Sequence, residues 1–234
     1  MTATLELDGI PVAVETAGPP RQARLTVEVD GSLSLRAAQD VSDHELAAFL
    51  TSKRRWVYEK LAIKEALAAP PVVKEIVNGE GFTYLGRNYR LRLVDEGDQV
   101  SLQQGRLALP RSLLPTASQA LQAWYARCGL DWLRPRMVSW ATRLRVSPTG
   151  LAIGDLGPKW GASTPDGRIR IHWATMQLPP RLVEYNLVHE LTHLREPNHG
   201  QAFWKVLTRA LPDAQVRKQE LATIGASLWF GLVN

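Results

Sequence analysis

The residues whose types and spacing could do chemistry are His189-Glu190-Leu191-Thr192-His193-Leu194-Arg195-Glu196-Pro197-Asn198-His199. They contain H-E-x-x-H, with a third histidine ten residues after the first. On a helix, positions i and i+4 lie about 40° apart around the axis and one turn apart along it. His189 and His193 can therefore reach one ion at Zn–N distances of about 2.0–2.1 Å. Glu190 lies about 100° round from His189, beside the ion and not between its ligands. A carboxylate there can hold a zinc-activated water and act as general base. The third ligand must come from beyond the helix. Pro197 and Asn198 supply the departure that lets His199 face the metal, and a downstream carboxylate such as Glu220 is the alternative third ligand. Three protein ligands leave a fourth position open, as catalytic zinc requires. Zinc lowers the pKa of bound water from 15.7 to roughly 7. The expected cofactor is one Zn2+ per chain, although imidazoles also accept other divalent ions.

These groups need a scaffold. Pro179-Pro180 opens a helix that Pro197 is expected to end. On it Val183, Leu187, Leu191 and Leu194 form a face adjoining that of Asn186, His189, Glu190 and His193, so one side packs and the other opens onto a site. Phe203, Val206, Leu207 and Ala210 predict the next helix, with Phe203-Trp204 packing beneath the metal loop. A last helix is expected from Asp213 to about Ile224, with Gly225 at its end. Upstream, Leu151-Ala152-Ile153 and the alternating Arg168–Trp173 read as strands.

The first half is β-rich around one long helix. Residues 22–36 read as a hairpin turning at Asp30-Gly31. Ser42 and Glu45 form a capping-box signature, followed by Leu46, Phe49, Leu50, Trp56, Val57 and Leu61 at helical spacing and a stop at Pro70-Pro71. Between residues 72 and 110 short strands are separated by Gly86, Gly97 and Gly105. A second helix from about Ser118 to Leu144 carries Leu121, Trp124, Tyr125, Cys128 and Trp132 inward, and Gly129 and Pro135 predict a break or kink within it. No internal repeat is evident. The expected division is a β-rich part, 1–115, and a catalytic domain, 116–234.

Composition narrows the class. The 234 residues are 45% hydrophobic and 22% charged, an ordinary globular balance. The single cysteine, Cys128, excludes an internal disulfide and a multi-cysteine metal site. Met1 to Gly18 carries Glu6, Asp8 and Glu15 and does not read as a secretory signal. No stretch is long and apolar enough to span a bilayer. The expected location is cytoplasmic. The net charge of +5 favours acidic partners. The basic residues are scattered along the chain, which reads as solvated faces more than as a nucleic-acid patch.

The run from Lys159-Trp160-Gly161 through Arg168-Ile169-Arg170-Ile171-His172-Trp173 to His189–Trp204 resembles the YgjP-like metallopeptidases, bacterial zincins related to SprT-like proteases. Tyr84-Leu85-Gly86-Arg87-Asn88-Tyr89-Arg90-Leu91 is similar to that family too. The resemblance implies an α+β fold, with a zincin-like core whose active-site helix lies against a small β-sheet and a β-rich N-terminal part. It implies zinc on His189, His193 and His199, and Glu190 as the catalytic group. It also implies a strand along the cleft that pairs with an extended peptide, for which Arg168 to Trp173 is the candidate. The chain departs from its relatives at Lys159, where they commonly carry arginine, and at Ala162-Ser163-Thr164, where they carry Ser-Cys-Ser. The extended metzincin pattern has glycine where this chain has Glu196.

Three further residues are substrate-binding candidates. Lys159 can stabilise an oxyanion or phosphate, or be a solvated lysine. His172 can polarise the substrate, or be an exposed strand histidine. Asn186 can orient a ligand or the substrate. Tyr185 and Cys128 read as structural. The expected function is a zinc metallopeptidase acting on peptide or protein. The alternatives are a metal-dependent phosphohydrolase acting on nucleoside triphosphates, against which stands the lack of a phosphate-cradling glycine loop, and a DNA-associated protease of SprT-like type.

Overall fold

The structure, a computed structural model, describes residues 3–16, 23–27, 32–38, 41–66, 70–157 and 159–234. It is mixed α+β, with five α-helices and four small sheets among the described residues. The chain divides into two compact units, Met1–Ala69 and Pro70–Asn234.

The first unit holds β1 (Ala3–Leu7), β2 (Ile10–Thr16), β3 (Arg24–Val27), β4 (Leu33–Ala37) and α1 (Asp43–Ala66). Its sheet runs β1-β2-β4-β3, with β2 and β4 parallel and the outer pairs antiparallel. The expected hairpin is the β3–β4 pair, with Leu25 opposite Leu35. Its Asp30-Gly31 turn lies outside the described residues. The capping box forms: Glu45 accepts from the Ser42 backbone N–H at 3.0 Å, and Ser42 Oγ accepts from the Glu45 N–H at 3.3 Å. Leu46, Leu50 and Val57 of α1 pack against Val12, Val14, Leu33 and Leu35. Trp56, expected on that inner face, is 38% exposed. At 100° per residue, the turn that points Val57 inward swings its neighbour outward.

The second unit begins with β5 (Val72–Lys74), β6 (Gly81–Tyr84), β7 (Arg87–Val94), β8 (Ser101–Gln103), β9 (Arg106–Pro110) and α2 (Ala117–Leu144). The sheet order β6-β7-β9-β8, with its inner pair parallel, repeats the topology of the first unit, and a long helix again follows. Asp8-Gly9, Leu85-Gly86 and Gln104-Gly105 turn the hairpins with both residues at positive φ, the conformation that matches strand twist. The expected break in α2 is absent, and the helix is continuous across Gly129 and Pro135. Gly129 serves close approach: a Cβ there would lie 2.6 Å from Ile153 Cδ1 and 3.0 Å from Met176 Cγ. Pro135 and Asp131, whose carbonyl loses its helical partner, are both exposed, so water can replace the missing bond.

The remaining elements are β10 (Gly150–Gly154), β11 (Gly161–Ser163), β12 (Arg168–His172), α3 (Pro180–His193), α4 (Gln201–Ala210), α5 (Ala214–Gly225) and β13 (Trp229–Val233), with a 3-10 helix at Trp173–Gln177. One core holds Phe82, Leu91 and Leu107 of the β-rich segment together with Tyr125, Ile171, Leu187 and Trp229. The compact units part at 69/70, and the sheet of residues 81–110 shares its core with the helices that follow it. No described helix is long and apolar enough to cross a membrane.

Buried Gln177 holds β13 in place, donating to Trp229 O at 2.7 Å and accepting from Trp229 N at 3.2 Å. Gln177→Ala leaves two backbone groups without partners, which is expected to cost about 2–4 kcal/mol in urea unfolding.

Candidate active site

The helix α3 has Pro180 at its first turn and is buried on nearly every side. Leu182, Val183, Leu187, Val188 and Leu191 are fully enclosed, and Tyr185, Asn186 and Glu190 are also buried. The expected one-sided helix is thus enclosed by the elements packed around it. It ends at His193, short of Pro197, through backbone bonds from Leu194 to Leu191, Arg195 to Thr192 and Glu196 to Thr192. A residue before proline is disfavoured in the helical region, so the reversal is complete by Glu196.

That reversal brings the three histidines together. Their Nε2 atoms lie 3.2 Å (His193–His189), 3.1 Å (His193–His199) and 2.9 Å (His199–His189) apart. Phe203 of α4, fully buried, packs against all three rings at centroid distances of 4.6–5.0 Å. Trp204 stacks edge-on against Phe203. The packing expected of this pair is what the structure contains. His193 Nδ1 sits 3.2 Å from Glu196 O, which assigns its proton to Nδ1 and leaves the Nε2 lone pair facing the other two rings. Burial, reinforced by His193 and His199, pushes His189 down to about 3. Burial, then His193 and Lys218, lowers His199 as well.

Neutral imidazole nitrogens converging without a cation would repel. Tetrahedral ligands at the zinc–nitrogen distance are about 3.3 Å apart, within a few tenths of an ångström of the observed separations. The donor set therefore fits a divalent ion. The rival ligand Glu220 is engaged elsewhere, by Arg181.

Glu190 is 7% exposed, and burial lifts its carboxyl to about 7 against the opposing charge of Lys159. Its carboxylate rests on the backbone of Gly161: a Cβ there would lie 2.7 Å from Glu190 Cγ and Oε1. Gly161→Ala must displace the glutamate, and kcat is expected to fall on the order of 10²-fold with metal content unchanged. In the sequence Gly161 is only half of a Trp-Gly pair; spacing does not reveal that a strand in a different segment approaches α3 this closely. Trp160 fixes the loop from the other side, its ring 2.6 Å from where a Gly225 Cβ would stand. That contact, and not a left-handed cap, is what the glycine ending α5 serves, since Ala226 after it is right-handed.

Of the three secondary candidates, two share this region. Exposed Lys159 is the charge that acts on Glu190. Asn186, one turn before Glu190 on α3, is 5% exposed with Nδ2 lacking a hydrogen-bond partner. His172 is not an exposed strand residue, and no hydrogen bond or ring contact joins it to the histidine trio among the described residues. It is 3% exposed, ringed by Trp160, Trp173 and Phe230, with Nδ1 accepting from Ala174 N and Nε2 3.3 Å from Asp155. Burial lowers its pKa below 6.5, against the pull of Asp155. The unfolded chain therefore takes up the proton more readily. The associated stability is complete above about pH 6.5 and is lost as pH falls toward the lowered folded value. His172→Asn, which can still accept from Ala174 N, is expected to flatten the decline of the urea midpoint between pH 7 and 5.

The strand expected to line the cleft also differs. In the sheet β10-β12-β11, β12 is central, paired parallel with β10 and antiparallel with β11, so both its edges are taken. The strand with an edge unpaired among the described residues and packed beside Glu190 is β11.

The model of the YgjP-like metallopeptidase domain matches residues 21–224. Comparison with curated proteins finds no match. Among solved structures, the metallopeptidase zymogen of Pyrococcus abyssi abylysin is similar at 19% identity, covering 42% of this chain and 99% of its own, with a TM-score of 0.38 that is too low to establish a shared fold. With the family model spanning most of its length, the chain belongs to the YgjP-like metallopeptidases.

Proposed function

We propose that the chain is a zinc-dependent peptidase in which His189, His193 and His199 hold the ion and Glu190 moves the proton. The observation that carries this reading is the convergence of three Nε2 atoms within 3.2 Å of one another, two from the helix that also bears a buried glutamate and the third from the loop that follows it. A divalent ion so held supplies Lewis acidity toward a substrate carbonyl and toward water. Glu190 takes a proton from the attacking water as the water oxygen adds to the carbonyl carbon. It delivers that proton to the amide nitrogen as the C–N bond breaks. Burial suits both steps, because it raises the affinity of the carboxylate for the proton it must hold in between. The free edge of β11 offers an extended peptide a backbone to pair with alongside Glu190.

The test is hydrolysis of a mixture of unfolded peptides, with nucleoside triphosphates as a parallel substrate set. Peptide cleavage that is lost on chelation and restored by zinc is expected. Phosphate release without any peptide cleavage would overturn the reading.

A further inference from the structure

A groove of about 850 Å³ opens beside His193. Ser163 and Thr164, at the end of β11, form one wall with Asp166, and Arg195, just past α3, lies in another. Arg145, where α2 ends, is a third contributor. The charged residues of its lining are Arg145, Arg195 and Asp166, with His193 at the site end. Asp166 is answered locally: it accepts from Thr164 and lies 3.3 Å from Arg168 Nε. The side chains of Arg145 and Arg195 have no ion pair or hydrogen bond among the described residues, and both are exposed. Two positive charges therefore line the groove unpaired among the described residues, while the one carboxylate there, Asp166, is held by Arg168.

The backbone of Arg145 makes the same point independently. Arg145 closes α2 in the left-handed conformation, φ 56° and ψ 50°. Val146 N bonds to Ala141 O at 3.0 Å and Arg145 N to Thr142 O at 3.3 Å, the Schellman pattern whose turning residue is usually glycine. Arginine is disfavoured there because its Cβ crowds the following carbonyl. A strained residue whose side chain has no hydrogen bond or ion pair among the described residues and borders a candidate site is a pointer to function.

Resting on the peptidase reading above, we infer that this groove receives an acidic side chain of the substrate, held by Arg145 and Arg195, next to the bond that is cut. A guanidinium fork pairs with a carboxylate through two parallel hydrogen bonds. Ser163 adds a hydroxyl donor on the wall that continues from β11. A peptide running along β11 from Gly161, beside Glu190, toward Ser163 would pass its side chains into this groove. The specificity is thereby set by two loops, residues 145–147 and 194–197, that lie outside the H-E-x-x-H motif.

The experiment uses the zinc-loaded full chain and matched peptides that differ only by Glu, Gln or Lys at each position flanking the cleaved bond. Two readouts are taken: the ratio of kcat/KM for Glu over Gln, and anisotropy of the same labelled peptides on Glu190→Gln. At one position the wild-type ratio is expected to be about 10-fold or more. Arg145→Gly should bring it toward unity while the protein stays at least as stable, since glycine relieves the left-handed residue. The double variant Arg145→Glu, Arg195→Glu should reverse the order in favour of Lys. Equal ratios in wild type and Arg145→Gly would overturn the inference, even with vigorous peptide cleavage. Glu-selective binding that depends on Arg145, without cleavage, would uphold the groove and sink the peptidase reading. Displacement by inorganic phosphate or a nucleoside triphosphate, with no Glu-over-Gln selectivity in binding, would reassign the arginines to phosphate and overturn the inference.

Discussion

Glu190→Gln is expected to lower kcat/KM for peptide hydrolysis by about 10²–10⁴-fold, the range that a positioned general base contributes, with zinc content equal to wild type. Glutamine has nearly the same shape and so keeps the fit against Gly161. It cannot accept and return a proton. The loss corresponds to roughly 3–5 kcal/mol of transition-state stabilisation. The same variant should be as stable as wild type or more so. Burial disfavours the charged carboxylate, which is why it is lifted to about 7, and a neutral amide removes that penalty. Activity lost while the Tm holds or rises would mark Glu190 as kept for chemistry. Equal kcat/KM in the two proteins would remove Glu190 from the mechanism.

The second large effect is on the metal. His193→Ala should abolish stoichiometric zinc and with it all metal-dependent turnover. His193 has its Nε2 within 3.2 Å of both other histidines, and its Nδ1 is tied to Glu196 O, which fixes the ring. Two imidazoles remain after its removal, too few for a three-ligand catalytic site. The wild-type protein should gain apparent stability on adding zinc, about 4 kcal/mol at a thousandfold excess over Kd. The variant should show no such rise. Elemental analysis and thermal melts with and without zinc check both points. A variant that keeps one zinc per chain would mean that the ion sits elsewhere.

The sequence by itself determined a good deal. The H-E-x-x-H spacing places two imidazoles on one face of a helix whatever surrounds it, because 3.6 residues per turn is a local property. The capping box at Ser42 and Glu45, the glycine turns after Tyr84 and Gln103, and the long helix from Ser118 are local too, and all appear in the fold. The Asp8-Gly9 hairpin went unread, although Asp-Gly between alternating apolar residues is a strong turn signal.

Only the tertiary structure decided the rest, because it depends on which distant segments meet. Alternation identifies Arg168–His172 as a strand, but hydrogen bonding to β10 and β11 makes it the centre of the sheet and leaves β11 as the edge strand beside Glu190. The same placement encloses His172, which a strand pattern alone leaves facing solvent. Gly129 and Pro135 read as breakers by propensity, yet packing against Ile153 and Met176 and an exposed outer face let α2 run through them. Glu190 is one residue from a metal-ligand candidate in sequence, but its raised proton affinity comes from burial against Gly161, a contact between segments that no spacing rule encodes. Periodicity and caps are fixed within a few residues of chain, whereas edge, burial and proton affinity are set by what the fold brings alongside.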